Sequence, residues 1–309
     1  MYAIVVHGGA GDWQNELEAQ LLAGVRRAAE AGVAILAPGG TALDAAVAAV
    51  VVLEDDPLFN AGTGSTLNLD GEAEMDAGVM VGQGLRSGNV AALRRVRNPV
   101  LVARKVLEET DHVLLAGTGA ERFARAMGFA EHDPRTPERL AAYRRQREAL
   151  ARLPNAKLPR LHALLQAHPG LAGDTVGAVA CDSAGNLAAA TSTGGVSLKL
   201  AGRIGDSPVP GAGNYATPAA AASATGQGEL MLRFLTTKGL CDLVTQGYHP
   251  QDAVEAILAR MTADLGRDVG LIAVDATGQL GVGHATSAMP HAWFQEGFAA
   301  VSARMRVPL

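Results

Sequence analysis

Aromatic side chains and cysteines are scarce in this chain. Of 309 residues, 4% are aromatic and only two, Cys181 and Cys241, are cysteines. Both cysteines lie in apolar surroundings without metal-ligand spacing. This pattern predicts core thiols in a reducing compartment rather than a disulfide framework or a zinc site. Glycine and alanine are abundant, and such small residues suit tightly packed layers whose backbones approach closely.

The chain also lacks an excess of basic charge and a long apolar run. Its formal net charge is -5, which argues against a protein that binds a phosphate backbone. The arginine-rich run at residues 144–147 has no interleaved aromatic side chains, so it is typical of a solvated helix face. No apolar run reaches membrane-spanning length, and residues 1–7 lack the basic region of a signal peptide. We therefore expect a cytoplasmic protein with no nucleic-acid or membrane partner.

A nucleotide cofactor is not indicated either. Residues 117–119 (Gly-Thr-Gly) precede a predicted helix, as in a dinucleotide-binding fingerprint. Arg122 occupies the third glycine position, and no βαβ unit with an acidic ribose partner follows. The motif predicts a helix-capping turn, and we expect no cofactor for catalysis.

Apolar periodicity predicts alternating groups of strands and helices. The strands are expected at residues 2–6, 112–116, 176–181, 187–193, 269–274 and 279–284. The helices are expected at residues 16–36, 42–52, 99–109, 120–127, 137–153, from 229 past 241, and 250–265. This order favours a layered α+β fold or a four-layer sandwich over a doubly wound sheet. Residues 130–174 change composition and carry three prolines after the predicted helix, so they are interpreted as a linker.

The chemistry of the chain is expected at Thr175, which precedes a short buried strand and its hairpin partner. A threonine hydroxyl is a weak nucleophile unless a base lies beside it, and its own free α-amine can be that base. Such an amine has a reference pKa of about 7.7–8.0, so much of it is neutral near neutral pH. An internal threonine has no free amine. The chain would have to be cleaved between Asp174 and Thr175 to create one.

Six motifs, taken in order and spacing, are similar to one family. They are residues 7–11, 53–62, 74–77, the stretch 173–206, and residues 205–208 and 224–229. Together they resemble the isoaspartyl peptidase/L-asparaginase family, or plant-type asparaginases, of threonine-type N-terminal-nucleophile hydrolases. The resemblance covers nearly the whole chain. It implies a single domain over residues 1–309 with a four-layer αββα sandwich, cleaved into residues 1–174, with a linker over about 130–174, and residues 175–309. It also implies a homodimer of cleaved αβ pairs.

The resemblance also implies roles for individual residues. It makes Thr175 the nucleophile, with Thr193 hydrogen-bonded to it, Thr225 and Gly226 stabilising the oxyanion, and Asn60 supporting the site. Arg203 would bind the α-carboxylate of the substrate, and Asp206 with the Gly228 carbonyl would bind its α-ammonium group. The expected substrates are β-aspartyl dipeptides and L-asparagine. Without the resemblance, His7 is interpreted as structural, and Arg203 with Asp206 as a surface ion pair.

A structural sodium ion is a further implication of the resemblance. Its ligands would be backbone carbonyls, which suit a hard cation and leave no side-chain signature. The residues are Leu53, Glu54, Asp56, Phe59, Ala61 and Thr63. Taken without the resemblance, the same loop is interpreted as a rigid surface loop that holds no ion.

Three features depart from the asparaginase pattern. Asp174 stands where glycine is usual, and residues 205–213 with 232–235 resemble glycosylasparaginase. The long arginine-rich linker is the third. Two alternatives therefore remain, a glycosylasparaginase acting on N-acetylglucosaminyl-asparagine, and an uncleaved, inactive homologue that binds an amino acid.

Overall fold

The computed structural model describes residues 1–151, 175–265 and 268–307. The described chain contains eight α-helices and twelve strands. The strands are β1 Ala3–His7, β2 Met75–Val81, β3 Arg86–Leu93, β4 Leu114–Ala116, β5 Val176–Cys181, β6 Leu187–Thr193, β7 Asn214–Ala216, β8 Ala220–Gly226, β9 Val269–Asp275, β10 Leu280–His284, β11 His291–Gln295 and β12 Ser302–Arg304. The helices are α1 Glu18–Leu36, α2 Ala42–Asp55, α3 Pro99–Glu109, α4 Gly117–Ala126, α5 Pro137–Ala151, α6 Gly228–Phe234, α7 Thr236–Thr245 and α8 Pro250–Leu265.

Two β-sheets organise these elements into a mixed α+β structure. The larger sheet has eight strands in the order β12-β11-β1-β5-β6-β2-β3-β4, and the smaller has the order β10-β9-β8-β7. Neighbouring strands are antiparallel, apart from the parallel β3–β4 pair. The predicted hairpin of β5 and β6 is confirmed, with Cys181 opposite Leu187 and Val176 opposite Ser192. It lies near the centre of the larger sheet, so its ends are held on both sides.

Side chains alternate across the larger sheet, as strand geometry requires. Ala178 and Ala180 of β5 join a core cluster formed with helices α1, α2 and α3. Val179 and Cys181 point the other way, into a cluster shared with Ile272 of the smaller sheet. Both faces of the larger sheet are apolar. Polar side chains at the strand ends, on the face toward the smaller sheet, are therefore exceptions to this pattern.

The smaller sheet has its own core on its other face. Ala222 and Ala224 of β8 pack there with Met231, Leu240 and Val254 from the last three helices. The predicted single helix from Glu229 past Cys241 is wrong. It is broken at Leu235, whose left-handed backbone (φ 47°) separates α6 from α7. Both cysteines are buried and free, as predicted.

The other helices and strands show which features apolar periodicity predicts and which it does not. Thr41 caps α2, since its hydroxyl accepts from the Asp44 amide at 3.1 Å. The predicted strands at residues 269–274 and 279–284 form the β9–β10 hairpin, and two further strands, β11 and β12, follow it without having been predicted. The β2–β3 hairpin was not predicted. Buried Asn89 in β3 donates through Nδ2 to Ser87 Oγ and the Val113 carbonyl, while its Oδ1 has no partner among the described residues.

The segment interpreted as a linker is partly described. Residues 137–151 form α5, whose side chains reach the loop after α2. Tyr143 of α5 donates to the Leu69 carbonyl at 3.0 Å, and Arg135, two residues before the helix, pairs with Glu72 at 3.0 Å. Residues 152–174, with the predicted cleavage residue Asp174, lie outside the described residues. In the described parts of the chain, no helix has the length and apolar character needed to cross a membrane.

Candidate active site

Hydroxyl and imidazole groups lie close together between the two sheets, near the ends of β1, β6 and β8 and the start of β5. Thr175 immediately precedes β5 and is 4% exposed. Its backbone N–H donates to Thr225 Oγ1 at 3.4 Å, and that oxygen also accepts from the Ala10 amide at 3.2 Å. Since Val176 is level with Ser192, one further step of the same register brings Thr175 level with Thr193. The predicted nucleophile and two of its predicted partners therefore meet at one strand end.

A buried network lies behind Thr175. His7 Nε2 and Ser223 Oγ are hydrogen-bonded at 2.9 Å, and Ser223 Oγ is bonded to Thr191 Oγ1 at 2.9 Å. Burial lowers the pKa of His7 to about 3, and the adjacent Thr175 backbone opposes this only in part. The imidazole is therefore neutral at neutral pH. This network connects β1 and β6 of the larger sheet to β8 of the smaller sheet, next to Thr175.

Asn60 fixes the turn that follows β6. Its Nδ2 donates to the Gly195 carbonyl at 2.8 Å, and its own carbonyl accepts from the Gly194 amide at 2.9 Å. Its Oδ1 accepts from the Thr66 amide at 2.7 Å, which orients the side chain. Within the turn, Thr193 Oγ1 accepts from the Gly195 amide at 2.9 Å. The structure thus places Asn60 where it can position Thr193 through the turn backbone.

Arg203 is held by a carboxylate that the sequence did not point to. Its Nε and Nη2 donate to the two carboxylate oxygens of Glu229 at 3.0 Å and 2.8 Å. This bidentate pair fixes the plane of the guanidinium group. Gly195 and Gly205 lie against Nη1, since a Cβ atom there would be 3.3 Å and 2.9 Å from it. The Arg203 side chain is therefore embedded between two turns of the site.

Asp206 is buried with one carboxylate oxygen unsatisfied. It is 3% exposed, and its Oδ2 has no hydrogen-bond partner among the described residues. Burial raises the pKa of Asp206 to about 7, although Arg203 nearby works in the opposite direction. A buried polar atom without a partner is costly, so this oxygen is suited to a ligand that brings a donor.

Gly228 brings Arg203 and Asp206 next to the end of β8. A Cβ atom at Gly228 would lie 2.8 Å from Asp206 Oδ1 and 2.9 Å from Arg203 Nη2, so no side chain fits there. Gly226, two residues earlier, has φ of 129°, a conformation that favours glycine. The predicted recognition residues are thus connected through Gly228 to the predicted oxyanion residues, Thr225 and Gly226.

The predicted cation loop begins at the carboxyl end of α2, which contains Leu53 and Glu54. Carbonyls in the last turn of a helix lack intrahelical partners and carry partial negative charge. The Glu54 carbonyl accepts from the Thr63 amide at 2.8 Å, which folds the loop back on the helix. Arg139 of α5 donates to the Phe59 carbonyl at 3.4 Å. A carbonyl has two lone pairs, so one hydrogen bond leaves a second acceptor position on each of these two oxygens.

The Glu54 side chain connects this loop to the strand of Thr193. Its Oε1 accepts from Ser192 Oγ at 2.6 Å and from the Val100 amide at 2.9 Å. Burial raises the pKa of Glu54 to about 8, so the carboxyl group is neutral at neutral pH. A neutral, hydrogen-bonded carboxyl can be buried here without a counter-ion.

Comparison with known proteins agrees with this geometry. The sequence model of the asparaginase family matches residues 1–301. The plant-type L-asparaginase of Pyrococcus abyssi is 47% identical over 96% of this chain and 97% of its own length. The isoaspartyl peptidase/L-asparaginase of Xenopus laevis is 43% identical over 89% of this chain and 86% of its own length.

This chain belongs to the asparaginase family. The family resemblance inferred from the six motifs is therefore confirmed, and the match covers residues 1–301.

The roles of four residues of this asparaginase-family site were not predicted from the sequence, although three of these four lie within the six motifs. They are Glu229, which binds Arg203, Ser223, which binds His7, the buried Lys199, and Asp76. A signal existed for two of them. Asp76 interrupts an apolar strand, and Lys199 stands between two leucines, so burying either requires a partner.

Proposed function

We propose that this protein is a self-activating amidohydrolase that cleaves β-aspartyl amide bonds, with L-asparagine and β-aspartyl dipeptides as substrates. The observation that carries the proposal is the buried Thr175, whose nitrogen lies against Thr225 Oγ1 at the start of a central strand. The names of the relatives, plant-type L-asparaginase and isoaspartyl peptidase/L-asparaginase, support the same reaction.

Activation is a cleavage between Asp174 and Thr175. Thr175 Oγ attacks the Asp174 carbonyl carbon, the peptide C–N bond breaks, and the chain is then joined through an ester. Water hydrolyses the ester, which leaves a carboxylate on Asp174 and a free amine on Thr175. That amine is the base that the hydroxyl lacks in the uncleaved chain.

Turnover uses the same hydroxyl. The Thr175 amine takes the hydroxyl proton as Oγ attacks the substrate β-amide carbon, and it gives the proton to the leaving amine. Water then hydrolyses the acyl-enzyme and releases L-aspartate. Thr225 Oγ1 already accepts two backbone N–H groups, so its own hydrogen can point to the developing oxyanion, with the Gly226 N–H as second donor.

Recognition of the aspartyl group uses Arg203 and Asp206. Glu229 binds the Nε–Nη2 edge of Arg203, and the substrate α-carboxylate binds the Nη1–Nη2 edge. The unsatisfied Oδ2 of Asp206 accepts from the α-ammonium group, with the Gly228 carbonyl as second acceptor. With the α-carboxylate and the α-ammonium group both bound, the carbonyl that lies at Thr175 is the one in the substrate side chain.

The proposal is tested on freshly purified protein by intact-mass measurement in parallel with ammonia release from L-asparagine. We expect a fragment starting at Thr175 to accumulate, and turnover to rise with the same time course. A chain that stays whole during prolonged incubation and never releases ammonia contradicts the proposal. That outcome favours the inactive, amino-acid-binding homologue.

The pKa of Asp206 predicts how binding depends on pH. Because its pKa in the free protein is raised to about 7, the carboxylate needed by an ammonium ligand is lost as pH falls through that value. We expect the Kd for L-aspartate to be flat above pH 7 and to rise about tenfold for each unit below it. Calorimetry measures this, and Asp206→Asn, which cannot titrate, should bind weakly with no such dependence. A pH-independent Kd in the unsubstituted protein contradicts the role of Asp206.

A structural sodium ion is proposed in the loop after α2. It is held by the backbone oxygens of Leu53, Glu54, Asp56, Phe59, Ala61 and Thr63, and it keeps Asn60 in place without taking part in the chemistry. The helix end and the folded loop support this proposal.

Sodium is expected to raise the Tm relative to a large organic cation at equal ionic strength, because it binds only the folded loop. Differential scanning calorimetry in the two salts measures the effect. Arg139→Ala removes the cationic donor to the Phe59 carbonyl and should strengthen the sodium dependence. Identical melting in both salts, for both proteins, contradicts the ion site.

We also propose how the chain is organised and where the protein works. Helices, larger sheet, smaller sheet and helices stack as a four-layer αββα sandwich, which the three separate core clusters support. Residues 1–174 and 175–309 form the two subunits, two such pairs form a homodimer, and the protein works in the cytoplasm.

A further inference from the structure

Two acidic residues at the start of β2 hold the turn that carries Arg203. Glu74 Oε2 accepts from the Gly202 amide at 2.8 Å, and Asp76 Oδ2 accepts from the Gly205 amide at 3.0 Å. Both side chains are buried. The two amides flank Arg203, and Gly205 directly precedes Asp206. The recognition turn, residues 202–206, is therefore fixed at two points by carboxylates from one strand.

The remaining carboxylate oxygens are bonded to the chain at the end of β3. Asp76 Oδ1 accepts from the Ala92 amide at 2.8 Å, and Glu74 Oε1 accepts from Arg94 Nε at 3.2 Å. The Gly202 amide and Arg94 hold the pKa of Glu74 below its ordinary value, although burial acts in the opposite direction. Each carboxylate thus bridges a rigid strand to the recognition turn.

The side chain of Lys199 also contacts Glu74. It is 2% exposed, and its Nζ donates to the Glu74 carbonyl at 2.6 Å. Burial lowers the pKa of Lys199 below its ordinary value and nearby Arg203 acts in the same direction, although Asp76 and Glu74 favour the charged form. A buried cation beside two buried carboxylates reduces the cost of placing all three in the interior. The Lys199 hydrogen bond also ties the chain three residues before the recognition turn to Glu74.

We propose that Glu74 and Asp76 are positioning residues that set the spacing of Arg203 and Asp206, and thereby determine affinity for the α-amino-acid part of the substrate. This inference rests on the proposed function of those two residues. Displacing a binding group by about 1 Å can cost on the order of a hundredfold, so a turn held at both ends has a direct effect on affinity.

The first test replaces Asp76 by asparagine. An amide offers one oxygen where the carboxylate offers two, so either the Gly205 or the Ala92 amide must face an NH₂ group. We expect Asp76→Asn to raise the KM for L-asparagine and for β-aspartyl-leucine about tenfold, with a much smaller change in kcat. Self-cleavage should proceed normally, because the precursor presents no free α-carboxylate to the turn. Glu74→Gln should behave in the same way.

Asp182 provides a matched control. It is a buried aspartate that holds the Ala184 and Asn186 amides in the turn at the opposite end of β5, each at 3.0 Å. Asp182→Asn should lower the Tm as Asp76→Asn does, but leave KM unchanged. If both variants change KM equally, the effect of Asp76 is general destabilisation and the proposal is wrong.

A double-mutant cycle adds a readout that a purely structural role would not change. Since Asp76 acts through Arg203, Asp76→Asn should cost much less in an Arg203→Lys background than alone. Equal costs in the two backgrounds overturn the proposal. Hydrogen exchange tests the same contacts without turnover, because Asp76→Asn should speed exchange in residues 202–206 and Asp182→Asn should not. Absence of turnover in the unsubstituted protein refutes the proposed function, whereas unchanged exchange in residues 202–206 refutes the positioning role.

Discussion

Thr175→Ala is expected to leave the chain whole and to lower turnover of L-asparagine by on the order of 10⁴-fold or more. One hydroxyl performs both the cleavage that frees the amine and the attack on substrate, so its loss removes both. The side chain is small and nearly buried, which makes alanine a modest structural change at this position. Intact-mass measurement and ammonia release on the same sample report the two effects.

Thr175→Ser is the matched control for that experiment. It keeps the hydroxyl and removes only the methyl group, so it should still produce a fragment beginning at residue 175, more slowly than the unsubstituted chain. A Thr175→Ala protein that yields this fragment, or that turns over within tenfold of the unsubstituted protein, would show that the nucleophile lies elsewhere.

Arg203→Ala should greatly weaken substrate use while leaving self-cleavage intact. Removing a charge-assisted pair with the α-carboxylate should cost about a hundredfold in kcat/KM for both L-asparagine and β-aspartyl-leucine. The precursor carries no free α-carboxylate at its cleavage site, so the fragment starting at Thr175 should appear at the normal rate. Arg203→Lys keeps the positive charge but not the planar guanidinium group. Its kcat/KM should therefore lie between those of the unsubstituted protein and Arg203→Ala.

Arg104→Ala is the control for loss of an arginine as such. Arg104 pairs with Asp44 and Glu108 on the helical side of the larger sheet, so its removal should leave kcat/KM unchanged. If Arg203→Ala also prevents self-cleavage, Arg203 is needed for the fold of the site rather than for substrate, and its proposed role fails.

The sequence predicts regular elements well where one physical signal dominates. The β5–β6 hairpin is an apolar run broken by a polar turn, and α2 has a capping threonine at its start. The break at Leu235 has no such signal, because leucine normally continues a helix and nothing local calls for a left-handed residue. The β2–β3 hairpin was missed because its buried polar residues find partners only in the folded sheet.

The same distinction applies to the candidate site. The motifs identify Thr175, Arg203 and Asp206 through family resemblance, but their partners come from distant parts of the chain. Glu229 orients Arg203 across 26 residues, and Asp76 reaches Gly205 across 129. A carboxylate at long separation looks like any other acidic residue until the strands bring it to its donor.

The measurement that tests the central claim most directly is kcat/KM of the cleaved protein for four substrates. They are β-aspartyl-leucine, L-asparagine, N-acetylglucosaminyl-asparagine and α-aspartyl-leucine. We expect both β-aspartyl-leucine and L-asparagine to be hydrolysed, the dipeptide in preference to the sugar conjugate, and α-aspartyl-leucine to be left intact. Turnover of the sugar conjugate alone would make the protein a glycosylasparaginase. Equal hydrolysis of α- and β-aspartyl-leucine would contradict recognition by Arg203 and Asp206, and with it the proposed reaction.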